Sequence, residues 1–319
     1  MGTVPGDHYK RDRGGRQGEI IDATKMDKLL INYVNYDRRY LVKTNVVYFK
    51  DARYMEEVDD LSIDLVITSP PYFNIKDYSL DGHQKEIISE NVTGQIGDIS
   101  EYEAYLLALD EVWKEVERTL KPNGKLCVNT PLMPIQKNDL NTHYTRDIFN
   151  LNSGIENHIL KYAGLYLMDI YIWNRTNPTK RLMFGSYPFP PNFYAQNTIE
   201  FVSVYVKDGK PEKRSEDIKE ASKLSQSEWL EYTKQVWDIP IPNKGDEAYG
   251  EHPAIMPLEL AQRLIKLYSF VGDIVLDPFL GSGTTAKAAI TQNRRYIGYE
   301  INKAYKKTID KKIAQTTLF

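Results

Sequence analysis

Apolar positions along the chain fall into short continuous runs and longer periodic ones, and the two kinds alternate. Val46 to Phe49, Ile63 to Thr68, Lys125 to Asn129, Tyr166 to Trp173, Ile199 to Val206, Ile274 to Leu276 and Arg295 to Tyr299 read as strands. Ile63 to Ile67 is apolar without alternation, apart from Asp64, which suits a strand covered on both faces of a parallel sheet. Between these runs, Tyr105, Leu106, Leu109, Val112, Trp113, Val116 and Leu120 recur at helical spacing, behind a Ser100/Glu103 capping-box pattern. Lys25 to Tyr36, Asp147 to Tyr162 (ended by Gly164), Pro257 to Ser269, Thr284 to Gln292 and Asn302 to Ala314 also read as helices. Phe73 to Gly97 is polar and reads as a long loop. Lys207 to Asn243 is strongly polar, with an amphipathic piece near Ser227 to Val236, and reads as an insertion on the main sheet. About seven strands interleaved with helices predict an α/β fold with a mostly parallel, helix-flanked sheet.

Two strand ends carry unusual chemistry. Thr68-Ser69-Pro70-Pro71-Tyr72 closes one strand with consecutive prolines, which cannot donate to a ladder, so the chain leaves the sheet stiff and extended. By itself that pentapeptide reads as a turn. Asp277-Pro278-Phe279-Leu280-Gly281-Ser282-Gly283-Thr284 is a strand end, a glycine loop and a helix start. Gly281, Gly283 and Ala286 satisfy a dinucleotide fingerprint, and Glu300 ends the next strand where a ribose-binding acid belongs. No Gly-Lys-Ser/Thr follows, which argues against a phosphate-cradling loop. Only Thr284 to Phe319 follows these glycines, so the other strands of the sheet come from earlier in the chain. A nucleoside pocket and the Pro-Pro motif therefore share one sheet edge in reversed chain order.

Composition adds mainly exclusions. The 319 residues are 41% hydrophobic and 27% charged, with a formal net charge of -3, ordinary for a globular protein. Cys127 is the single cysteine, which rules out an internal disulfide, and five scattered histidines argue against a zinc cluster, so no metal is expected. Met1 to Glu19 is polar and charged, unlike a secretory signal, and no apolar run is long enough to span a bilayer. A cytoplasmic protein is expected.

In this order the motifs resemble the β group of amino-directed DNA methyltransferases, which use S-adenosyl-L-methionine. There a Ser- or Asp-Pro-Pro-Tyr motif precedes an Asp-Pro-Phe-x-Gly-x-Gly-Thr-Thr motif. A Leu-Lys-Pro-x-Gly strand entry lies between them, matched by Leu120 to Gly124, and a His-Pro-Ala-x-x-Pro segment is matched by His252 to Pro257. Asp51 matches an aspartate upstream of the Pro-Pro strand. The resemblance spans about Val46 to Ile313 and is weakest from Lys207 to Asn243. It implies a Rossmann-like seven-stranded methyltransferase sheet with circularly permuted motif order and an inserted target-recognition region. The expected organisation is a flexible leader at 1–23, a catalytic part at 24–206, a candidate target-recognition insertion at 207–250 and a cofactor-binding part at 251–319.

The resemblance also implies roles. Asp277, Phe279, Gly281, Ser282, Gly283, Thr284 and Glu300 would hold the cofactor's amino-acid and ribose parts, with Thr68 beside them. Asp51 would contact the adenine, and His252, Pro253 and Ala254 would close the methionine end. Ser69 and Pro70 would accept the hydrogens of a base's exocyclic amino group, while Pro71 stiffens the turn and Tyr72 stacks on the base. The target would be flipped out of double-stranded DNA. Serine at position 69 leans toward N4 of cytosine, with N6 of adenine as the alternative; methylation at ring carbon would need a cysteine nucleophile, for which Cys127 is badly placed. Arg175, Lys180 and Arg181, in an aromatic-rich segment without acids, are candidate phosphate contacts. Candidate partners are DNA and a cognate restriction endonuclease, with the protein monomeric or a homodimer. RNA methylation, a nicotinamide-dependent oxidoreductase and a non-enzymatic DNA-binding module are the competing readings.

Overall fold

The computed structural model describes residues 42–73, 94–135, 147–177, 188, 189, 195, 197–252 and 254–316, all within the compact unit Arg39–Phe319. The expected leader at 1–23, the helix at Lys25 to Tyr36, Lys180, Arg181 and Pro253 lie outside the described residues. In chain order the elements are β1 (Val46–Tyr48), β2 (Ile63–Thr68), α1 (Tyr102–Thr119), β3 (Leu120–Ile135), β4 (Asp147–Asn150), α2 (Leu151–His158), β5 (Tyr166–Arg175) and β6 (Ile199–Val206). After them come α3 (Glu216–Ala221), α4 (Gln226–Tyr232), β7 (Val236–Ile239), α5 (Leu258–Tyr268), β8 (Ile274–Asp277), α6 (Thr284–Thr291), β9 (Arg295–Tyr299) and α7 (Lys306–Ala314).

One nine-stranded sheet has the order β1-β9-β8-β2-β3-β6-β5-β7, with β4 paired to β3. Every neighbouring pair from β1 to β3 is parallel; β6 alone on this path runs the other way, antiparallel to both β3 and β5. β5 and β7 are again parallel. The two strands nearest the chain's end, β8 and β9, thus insert between β1 and β2, which puts the Pro-Pro strand directly beside the glycine-loop strand, both motifs on one sheet edge as expected.

Side chains of β2 alternate across the sheet. Val66 packs with Trp113, Val116, Leu126, Val128 and Ile155 under α1 and α2. Leu65 and Ile67 pack with Cys127, Val202, Leu264, Ala289 and Ile309 under α5, α6 and α7. Cys127 is fully buried, and burial pushes its thiol pKa well up, as an inert core cysteine requires.

Several local expectations change. Ser100 and Glu103 form no capping box: α1 begins at Tyr102 behind Glu101, without a side-chain cap, and Glu103 instead lies 3.9 Å from His158. The predicted helix from Asp147 starts at Leu151, because Asp147–Asn150 finds an edge on β3 and pairs with Leu132 to Ile135. The strand expected from Lys125 already begins at Leu120, and Pro122-Asn123-Gly124 bulges within it: Ile63 pairs with Leu120 while Leu65 pairs with Lys125, and Asn123 takes a positive φ of 63°. The insertion contributes an edge strand, β7, which the short Val-Trp-Asp-Ile run did not advertise. Among the described residues no helix is long and apolar enough to cross a membrane.

The sheet has two chemically distinct rims. The carboxyl rim, where β2, β3, β8 and β9 end, carries both motifs. At the amino rim, Asp64 accepts from Ile274 N at 2.9 Å, and Arg214 is ion-paired with Asp64 (2.7 Å) and Asp273 (2.8 Å). Lys207 N donates to Gly124 O at 3.0 Å and Val271 N to Ser222 Oγ at 2.8 Å. The stretch from 207 to 228 is therefore fastened to the amino rim. Only the later part of the expected recognition insertion returns to the carboxyl rim, where Asp246 pairs with Lys312 and Glu247 with Lys287.

Candidate active site

β2 ends in a buried Thr68, whose Oγ1 donates to Asp277 Oδ1 at 2.8 Å. That single bond ties the two motifs together across the parallel β2–β8 pair. Directly beyond it Ser69 is half-buried, with Oγ 2.8 Å from Tyr72 Oη and 3.3 Å from the Asn129 carbonyl oxygen. The Pro71 carbonyl is already taken by Tyr105 Oη at 2.9 Å. Tyr72 is 7% exposed, packed in the core under α1, and its hydroxyl also meets the Glu200 carboxylate. Its ring is therefore covered in the structure and not presented for the expected stacking.

The second half of the rim is built on Asp277. Its Oδ1 also accepts from Phe279 N at 3.0 Å, which shapes the turn into the glycine loop. The Phe279 ring stands edge-on to Trp113, centroids 6.4 Å apart. Gly281 (φ 53°) and Gly283 (φ 89°) are both left-handed, and Gly283 caps α6 without any side-chain cap. A Cβ on Gly281 would come within 2.8 Å of His252 Nε2, so the loop is a groove only glycine leaves open. At the end of β9, Glu300 takes Gly281 N on Oε2 (2.9 Å) and Asn302 N on Oε1 (2.7 Å). Burial pushes Asp277 up to about 6 and Glu300 up to about 7, the bonds they accept opposing this only in part.

His252 lies against the loop and against Tyr305 (4.8 Å between centroids), and its Nδ1 accepts from Ala254 N at 3.2 Å. Burial and the nearby Lys312 ammonium lower its pKa to about 4, so it is neutral near pH 7 and unsuited to proton delivery there. Asp51, on the loop after β1, is held by Arg53, whose Nε lies 2.9 Å from Oδ2.

Pattern reading missed four residues here. Lys312 of α7 is buried under the loop, with Nζ 3.0 Å from Thr284 Oγ1 and 3.3 Å from Ser282 Oγ, and Asn302 is buried beside Glu300. Asn129 and Glu200 are both buried, with Asn129 Nδ2 donating to Glu200 Oε2 at 2.7 Å. An acid second in the mostly apolar Ile199–Val206 strand was the available signal for Glu200.

Arg175 also moves. Its Nη1 lies 3.4 Å from Glu200 Oε1, and Nη2 donates to the Asn197 carbonyl and to Oδ1 at 3.2 Å. A guanidinium committed this way serves the interior of the site and is not offered to a phosphate.

The chain matches the N6_N4_Mtase (DNA methylase) family model over residues 63–311. It is 32% identical over 285 residues to the type II methyltransferase M.MjaI of Methanocaldococcus jannaschii, covering 84% of this chain and 90% of that one. Among solved structures, TTHA0409 of Thermus thermophilus, complexed with S-adenosyl-L-methionine, aligns with TM-score 0.66 and 30% identity, over 85% of this chain and 94% of that chain. The cytosine-N4-specific PvuII DNA methyltransferase shares the fold at TM-score 0.57 and 19% identity, over 85% and 90% of the two chains.

Proposed function

Because the chain belongs to the DNA methylase family, we propose that it is a site-specific, S-adenosyl-L-methionine-dependent methyltransferase acting on an exocyclic amino group of a DNA base. Within that family reading, N4 of cytosine is preferred and N6 of adenine is the alternative. The observation that carries it is the Thr68–Asp277 bond, which sets an amino-group acceptor, Ser69, beside a nucleoside groove on one rim.

The groove suits the cofactor. Gly281 and Gly283 allow close backbone approach, α6 offers its N-terminus, and two buried carboxylates, Asp277 and Glu300, stand ready for the amino-acid ammonium and the ribose hydroxyls. In this reading His252 and Ala254 border the methionine end and Asp51 meets the adenine, as the family resemblance implies. Lys312, through Thr284 and Ser282, keeps the loop in place.

When bound, the cofactor supplies an electrophilic methyl group. The chain's own work is at the nitrogen, whose lone pair is delocalised into the base ring. Ser69 Oγ and the Pro70 carbonyl accept the amino hydrogens, which draws the nitrogen toward tetrahedral geometry and holds it at near-attack distance, on the order of 3–3.5 Å from the methyl carbon. Tyr72 supports Ser69 by a hydrogen bond, and turning its ring onto the base would require it to leave the core. Serine at position 69 favours cytosine by analogy with family members only. Sequence recognition falls to segments on the carboxyl rim, since 207–228 is fastened to the other.

Incubation with cofactor and mixed-sequence duplex, followed by mass spectrometry of nucleosides, tests this. N4-methylcytosine supports the preferred base and N6-methyladenine the alternative; neither, from folded protein, overturns the proposal. Label in RNA alone would redirect it.

The rim acids make cofactor affinity pH-dependent. Ribose hydroxyls and an ammonium favour ionised carboxylates, so affinity is full above the Glu300 value of about 7 and falls as pH drops through 7 and then 6. The free protein behaves oppositely. Both acids have folded pKa values above their unfolded ones, so stability is lost as pH rises from 3.8 toward about 6 for Asp277 and from 4.5 toward about 7 for Glu300. Calorimetry should give a Kd roughly tenfold or more weaker at about pH 5.5 than at about pH 8, and E300Q should flatten the profile.

A further inference from the structure

Among the described residues Glu200 is the carboxylate that bonds the Tyr72 hydroxyl behind the Ser69 turn, and the amino-group mechanism makes no use of it. It is second in β6, opposite Pro131 of β3 and Trp173 of β5, and is 6% exposed. Three donors converge on it: Asn129 Nδ2 at 2.7 Å, Arg175 Nη1 at 3.4 Å and the Tyr72 hydroxyl. Burial raises its pKa, and Arg175, Asn129 and Tyr72 pull it back toward ionisation. The Tyr72 hydroxyl in turn lies 2.8 Å from Ser69 Oγ.

A hydroxyl has one proton to give and two lone pairs to receive. An ionised carboxylate only accepts, so it fixes the direction of any hydroxyl chain that ends on it. Tyr72 must donate to Glu200, which leaves its oxygen to accept from Ser69 at 2.8 Å, shorter than the 3.3 Å to the Asn129 carbonyl. That bond holds the Ser69 proton inward and leaves both Ser69 lone pairs open; without the Tyr72 hydroxyl only the longer contact is left to hold it. A neutral amide in place of the carboxylate can donate to Tyr72. Tyr72 would then donate to Ser69 and fill one of the lone pairs that a base amino group needs. The same carboxylate pins the Asn129 amide with its NH2 inward, leaving Asn129 Oδ1 as a buried acceptor without a protein partner.

We propose that Glu200 is a positioning residue of the methyl-transfer site, polarising the chain Ser69–Tyr72–Glu200 so that Ser69 Oγ is presented as an acceptor. This rests on the amino-methyltransferase reading above.

The test compares wild type, E200Q, Y72F and the double variant under saturating cofactor, with cofactor Kd and KM for duplex measured in parallel. Because all act through one chain, E200Q and Y72F should each lower kcat about tenfold, with cofactor Kd and duplex KM within about twofold of wild type. The double variant should be no worse than the poorer single one, since both break the same relay. Multiplying effects would overturn the relay, as would E200Q and Y72F both staying within about twofold of wild type in kcat. If E200Q loses cofactor binding through misfolding, Y72F decides, because it removes only a hydroxyl. Wild type without methylated base would overturn the amino-methyltransferase reading and the relay together, whereas active wild type with unaffected variants overturns the relay alone.

Discussion

Ser69→Ala is expected to reduce the methyl-transfer rate by on the order of 100-fold or more, while cofactor affinity stays unchanged. A positioned proton acceptor at a reacting group is worth about 10²–10⁴-fold, and alanine removes the Oγ without altering the Pro-Pro backbone. Binding should be spared because Asp277 is tied to Thr68 and Phe279 N, not to Ser69. Tritiated methyl uptake into duplex under single-turnover conditions, beside a calorimetric Kd, separates the two quantities. A rate within about threefold of wild type would remove Ser69 from the chemistry, and a lost Kd would show that the turn itself had collapsed.

The second large effect is structural. Arg214→Ala should cost about 3–5 kcal/mol of stability, because it leaves buried charge without its partner. Arg214 Nη2 sits between Asp64 Oδ1 and Asp273 Oδ1, and all three side chains are under 10% exposed. Asp64 keeps Lys121 at 2.8 Å. Asp273 would be left to face Asp64 with the bond from Phe270 N at 2.8 Å. Burial and the Asp64 charge already raise Asp273 to about 7, above its unfolded value, so its ionisation subtracts stability as pH rises toward 7. Without Arg214 that loss deepens and extends to higher pH. The difference between variant and wild type should therefore be larger at about pH 8 than at about pH 5 in urea denaturation. A pH-independent or negligible difference would mean that solvent reaches these acids.

The elements legible in advance were those whose signal is local. Strand β2, helix α1 and the strand–glycine–helix unit from Ile274 to Thr291 follow from short-range pattern, and they appear within a residue or two of where periodicity puts them. The motif order also carried the shared sheet edge of the two motifs, while the direct pairing of β2 with β8 is seen only in the structure. What stayed hidden depends on the partner a segment finds. Asp147–Asn150 has a helical pattern but meets a free edge of β3. Val236–Ile239 is too short to read alone and becomes a strand by joining β5. In the site, Ser69, Asp277 and Glu300 announce themselves beside turns, whereas Glu200, Asn129 and Lys312 are polar residues in regular elements, separated along the chain from what they touch. Arg175 misleads for the same reason: its basic, aromatic surroundings suggested a phosphate, and its acidic partner sits across the sheet.

Strands β8 and β9 complete the sheet between β1 and β2, which bears on how the chain comes together during synthesis. Val66 of β2 pairs with Leu276 of β8, and Val46 of β1 with Ile297 of β9. Until Ile274–Tyr299 has emerged from the ribosome, one edge of β2 has no neighbour, and Leu65 and Ile67 lack the Val275 and Ala289 that pack in the same cluster. Contacts of such sequence separation make folding slow and leave an apolar strand edge open to other chains meanwhile. The nascent protein therefore passes through a long, aggregation-prone interval, and its Pro-Pro turn and glycine loop come together late, in one closing step.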